Sequence, residues 1–169
     1  TSFDCSNVGV NTVTLTVTDN NGNVRPCDAH VTVQDNIAPV ALCQPVTIQL
    51  DATGNASIMA ADIDGGSNDN CGIASIVASP TSFDCTNIGA NSVTLIVTDN
   101  SGNVSSCSTT VTVQDNSAPT AICQPLTVSL DGSGNADVTA AMVNNGSADN
   151  CAVNSLNITT TQYHAVGTY

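Results

Sequence analysis

The side chains of this 169-residue chain that could do chemistry are eight cysteines and fourteen acids, and every acid is Asp. Carboxylates can hold a hard cation or move a proton. Thiols can pair, ligate zinc or attack a carbonyl. Partners for catalysis are scarce: one Arg (Arg25), no Lys, and two His, His30 and His164. Zinc binding would call for C-x-x-C or Cys/His pairs, and neither spacing occurs. So many cysteines therefore point to disulfides and to an oxidising compartment outside the cell.

The surrounding composition narrows the partners. A net charge of −13 gives no means of holding a phosphate backbone or an anionic membrane surface, so nucleic acid is not expected as a partner. Small cations are the natural counterparts. No apolar run approaches the ~20 residues of a membrane span, so no membrane insertion is expected in this segment. No stretch reads as a signal peptide either, and any leader or anchor is expected outside it. Hydrophobic content is 41% but aromatic content only 2%, so the core must be built from Val, Ile, Leu and Ala. Thr and Val favour strands, Asn, Asp and Gly favour turns, and the strong exposed helix formers Glu, Lys and Arg are nearly missing. The expected fold class is all-β.

Self-comparison reveals a repeat of 80 residues. TSFDCSNVGVNTVTLTVTDNNGNV at 1–24 returns as TSFDCTNIGANSVTLIVTDNSGNV at 81–104, and VTVQDNIAPVALCQP at 31–45 returns as VTVQDNSAPTAICQP at 111–125. Of the first 70 residues, 43 equal the residue 80 further on, too many for a shared fold alone. All eight cysteines obey the offset: Cys5 with Cys85, Cys27 with Cys107, Cys43 with Cys123, Cys71 with Cys151. Gln-Asp-Asn-x-Ala-Pro at 34–39 and 114–119 reads as a short stiff joint, because proline fixes φ and removes a ladder donor. The expected organisation is the C-terminal strands of one repeat at 1–35, a complete repeat at 36–115, and the opening of a third at 116–169. The match collapses after Cys151: Ala165 stands where a cysteine is expected, and QYHAVGTY has no counterpart.

Within the complete repeat, period-two alternation marks strands at Val46–Leu50, weakly at 56–61, at Ile73–Ala78, through Val93, Leu95 and Val97, and at Val104–Val113. A polar loop runs from Asp64 to Cys71, and Thr-Asp-Asn-Ser-Gly-Asn closes a hairpin. About seven short strands per ~80 residues is immunoglobulin-like arithmetic. The expectation is a chain of tandem immunoglobulin-like β-sandwiches.

DNCG, then FDCxNxGxNxVTLxVTDxxGNVxxC, then VTVQDNxAPxAxC resembles the hyalin-repeat (HYR-like) immunoglobulin-type modules over about residues 1–155. Such modules recur in tandem in very large secreted surface proteins, including adhesins of gliding Bacteroidota. The resemblance implies an extracellular, adhesion-associated repeat that is not an enzyme. A stalk that extends a cell-surface adhesin or filament is the first functional reading, with neighbouring repeats as its partners. The alternative is a module that binds a glycan or another surface protein, and a third is an accessory segment of a secreted hydrolase.

In a sandwich of this type the first and last strands lie side by side and parallel. That brings Cys43 near Cys107 and leaves Cys71 for Cys85. Four cysteines allow three connectivities, and this pairing is a geometric preference. A loop of roughly 65 residues would contribute about 4 kcal/mol and the shorter one about 3. Cys5, Cys27, Cys123 and Cys151 are then expected to pair beyond the window.

The acids sort by whether the copies keep them. Asp4, Asp19, Asp35, Asp51 and Asp69 recur, whereas Asp62 becomes Met142 and Asp64 becomes Asn144. The sandwich reading gathers the joint (Asp35, Asn36), the long loop (Asp69, Asn70) and the hairpin loop (Asp99, Asn100) at the pole where the chain enters the repeat. Asp115 and Asp149 repeat the arrangement one period on. Ca2+, which takes six to eight oxygens, would relieve the repulsion there and brace the junction. The competing reading is that Asp-Asn-Gly clusters are turn formers whose carboxylates cap their own loops. His30 becomes Thr110 in the copy, so both histidines read as solvated side chains. Sequons at Asn55, Asn103, Asn145 and Asn157 do not recur and read as chance matches.

Overall fold

A computed structural model describes residues 1–159. His164, Ala165 and the QYHAVGTY tail lie outside the described residues. The chain opens with a 3-10 turn at Cys5–Asn7, followed by β1 (Gly9–Thr18) and β2 (Val24–Val33). These two pair antiparallel from Gly9↔Val33 to Thr18↔Val24. After the proline joint come β3 (Val46–Gln49), β4 (Asn55–Ser57), a one-turn helix α1 (Ala60–Ile63), β5 (Ile73–Ser79) and β6 (Ser82–Asp84). A second 3-10 turn at Cys85–Asn87 leads to β7 (Gly89–Asp99) and β8 (Val104–Gln114), and α2 (Ala140–Val143) follows.

The protein is all-β, and its central unit is a sandwich. One sheet has the order β3-β8-β7-β5, and β4 pairs with β6 apart from it. Strand β3 runs parallel to β8, with Val46 opposite Val111 and Gln49 opposite Gln114. The alternation of β7 does what the period implies: Val93, Leu95 and Val97 are fully buried, and Val111 and Val113 of β8 meet them from the same face. Leu50, Ile58, Ile63, Ala78 and Phe83 close the cluster. Phe83, on β6, is its one aromatic side chain, so the interior is filled almost wholly by aliphatic groups.

The turn between β7 and β8 shows how the Asp-x-x-Gly-Asn sequence folds. The Asp99 carboxylate accepts from the Ser101 amide (2.9 Å), the Asn103 amide (2.8 Å) and the Asn103 side chain (2.7 Å). Gly102 between them takes φ +90°, a value that suits glycine. Asp19 holds Asn21 and Asn23 in the same way between β1 and β2.

Two expectations on the strands are corrected. Residues 56–61 are not one strand, because β4 ends at Ser57 and α1 begins at Ala60. Asp62 reaches back to the Met59 amide at 2.7 Å, capping a turn whose two alanines favour helix and whose last residue, Ile63, plugs the core. The central unit accordingly has six strands and a helical turn rather than seven strands.

Candidate functional site at the junctions between units

Three loops converge where the chain enters the central sandwich. The β7–β8 hairpin turn is one, the loop before β5 is the second, and the proline joint is the third. Asn103, already bonded to Asp99, also donates its side-chain amide to the carbonyls of Asp35 (3.0 Å) and Ile37 (3.3 Å). Ser105 donates to the carbonyl of Pro39 at 2.6 Å. From the loop before β5, Asn70 donates to Asp35 Oδ1 at 3.4 Å. Asn100 ties that loop to the hairpin turn, its amide donating to the carbonyl of Gly72 and its side chain to that of Cys71.

This clamp brings one carboxylate oxygen from each of Asp35, Asp69 and Asp99 within 4.8 Å of the others. Asp99 is 1% exposed. Burial works against its charge, but the hydrogen bonds from Asn103, Ser101 and Gly102 prevail and hold its carboxyl below the usual range. Asp69 uses Oδ2 to accept from the Cys71 amide at 2.8 Å, while its Oδ1 is buried with no protein partner. Asn36 is exposed and lines a cleft with Asp35, Asn100 and Ser101.

One period on, Asp115 and Asp149 occupy the corresponding places. Asn150 donates to Asp115 Oδ1 at 3.2 Å, as Asn70 does to Asp35. Asp149 Oδ2 accepts from the Cys151 amide, and Asp149 Oδ1 is again buried without a partner. No third acid joins these two among the described residues.

Several of the other acids follow the competing reading. Asp51 accepts from the amides of Thr53 and Asn55 and from the Thr53 hydroxyl, and Asp84 caps its 3-10 turn through Thr86. His30 stands on β2, its Nδ1 3.3 Å from the Thr12 hydroxyl.

The sulfurs give the larger correction. Cys43 is bonded to Cys107, tying the start of the central unit to β8. Cys71 is not bonded to Cys85. It is joined to Cys5, and Cys85 is joined to Cys151. The reason is the direction of β5, whose seven residues carry the chain about 23 Å across the sheet. Cys71 is left at the pole where the chain enters and Cys85 near the opposite one, whereas a disulfide needs Cα atoms within about 7 Å. Cys5 and Cys151, expected to pair outside the window, are the actual partners. Cys27 and Cys123, the repeat equivalents of Cys107 and Cys43, are exposed and have no partner among the described residues.

The bond between Cys85 and Cys151 is seated in a fitted socket. The Cys85 sulfur lies 3.7 Å from the Gly54 carbonyl and 3.6 Å from that of Asn150. Asn150 donates across the junction to the Asp51 carbonyl at 3.0 Å. A Cβ on Gly54 would stand 2.7 Å from that sulfur and 2.8 Å from the Asn150 oxygen, and Gly54 has φ +78°. Both facts require glycine there. Sequence reasoning read Gly54 and Asn103 only as turn residues, Asn103 also as a chance sequon, and gave neither a role at the junction. The recurrence of Asp-x-x-Gly-Asn in both kinds of loop was the available signal.

Residues 34–113 match the family model of the HYR domain. No curated protein matches the chain.

Proposed function

We propose that this chain, whose residues 34–113 match the HYR domain model, is a stalk segment, a stiff extender in a large cell-surface adhesin or filament. The observation that carries this reading is that the bonds Cys5–Cys71 and Cys85–Cys151 tie each unit to the next. A sandwich that only had to fold could spend its cysteines internally. Here two bonds of three are spent on holding neighbours in one relative orientation, alongside the proline joint and the amide clamp of Asn103. The secreted or cell-surface location fits disulfide chemistry.

Calcium at the junction belongs to the same proposal. Asp35, Asp69 and Asp99 would supply carboxylate oxygens, with the buried, unpartnered Oδ1 of Asp69 as the atom most in want of a cation. Neutralising three carboxylates with no Lys nearby would tighten the meeting of joint, loop and hairpin.

Solution scattering from proteins of one, two and four repeats tests the stalk. The radius of gyration is expected to rise nearly in proportion to repeat number, and growth close to the square root would refute a stiff stalk. Calorimetric melting with calcium and then with chelator tests the metal. An upward shift that Asp69→Asn removes is expected, and an identical melting temperature in both buffers would eliminate calcium.

A further inference from the structure

The three disulfides form overlapping loops, 5–71, 43–107 and 85–151, with sequence separations of 66, 64 and 66. Tension applied to the ends of an unfolded chain is carried by its shortest covalent route. From Cys5 that route crosses directly to Cys71, follows the backbone to Cys85, and crosses again to Cys151. Only the 14 peptide units between Cys71 and Cys85 lie on it, the stretch that forms β5 and β6. Cys5 and Cys85 are equivalent positions, and so are Cys71 and Cys151, so the two bonds between units are one period apart.

We propose that this segment is a covalent load path, through which tension on the repeat bypasses most of each module even when the fold has been lost. Fourteen extended residues and one bridge span about 50 Å, against about 270 Å for 80 residues without bridges. The 11-residue β7 alone is about 37 Å long, so unfolding an oxidised unit releases little slack. Cys43–Cys107 carries none of this load. Its loop hangs off the route, and its part is to hold the sandwich together. If Cys5–Cys71 is opened, however, the shortest route runs Cys5 to Cys43, across to Cys107, back to Cys85 and across to Cys151. The taut backbone between Cys5 and Cys151 then grows from 14 to 60 peptide units.

The inference rests on bond connectivity alone and stands apart from the stalk reading. A protein found bent in solution would sink that reading and leave this one intact.

Force spectroscopy on the full oxidised chain, held by both ends, tests it. Forced unfolding is expected to leave the limiting length set by 36 peptide units and two bridges. Adding dithiothreitol under load should then lengthen the chain in steps, in total by 132 units or about 450 Å. Cys43→Ser with Cys107→Ser should leave the oxidised limiting length unchanged. Cys5→Ser with Cys71→Ser should add 46 units, about 160 Å, with peptide mapping verifying the remaining bridges. An oxidised chain that lengthens by a hundred residues before reductant is added would overturn the load path. So would equal lengthening in the two double variants.

Discussion

At the scale of single residues, the fourteen carboxylates divide by what their oxygens accept. Asp51, Asp64 and Asp84 are held below the usual carboxyl range first by the hydroxyls of Thr53, Ser67 and Thr86, and then by loop amides. A carboxyl depressed in the folded state stabilises above its unfolded value and loses that contribution as pH falls through the folded one. The denaturation midpoint should therefore be level between about pH 5 and 8 and fall below about pH 4. A urea midpoint that stays level down to pH 2 would contradict this. Gly54 offers a sharper test. Gly54→Ala should destabilise by about 1–3 kcal/mol and slow formation of Cys85–Cys151. Gly66→Ala has similar φ strain but open space around its Cβ, so it should cost less and leave the bridge alone.

At the scale of elements, alternation buries a side chain only where a second layer covers its face. Val-Thr-Leu stands in both β1 and β7, yet Leu95 is fully buried and Leu15 is 60% exposed. Burial of β7 comes from the opposing layer, where Phe83 of β6, Ile63 of α1 and Ile58 join the same core cluster, and the described residues include no such layer for β1. Leu95→Ala should cost about 2–5 kcal/mol in urea unfolding of the central unit. Ile63→Ala should behave like the Leu95 variant, because the turn of α1 exists to deliver that side chain to the core. A loss under about 0.5 kcal/mol for either variant would mean that the core has been misassigned.

At the scale of the whole molecule, the bonds between units make the joint part of the fold. Alkylation without reductant should spare Cys5, Cys43, Cys71, Cys85, Cys107 and Cys151. Labelling of Cys5 or Cys151 without reductant would show that the units are not cross-linked. Each bridge closes a loop of roughly 65 residues, worth about 4 kcal/mol of chain entropy singly. Overlapping loops share part of that entropy, so the three values do not add.

By itself the sequence determined the 80-residue period, the all-β class, the strands with clean alternation, and the grouping of Asp35, Asp69 and Asp99 on neighbouring loops. These depend on local periodicity and turn chemistry, which are written residue by residue. It could not determine which sulfurs meet. That depends on which pole each cysteine occupies, and β5 and the closeness of successive units decide it together. The helical turn at Ala60–Ile63 and the socket at Gly54 were hidden for the same reason: each answers to a surface brought near only when the chain has folded.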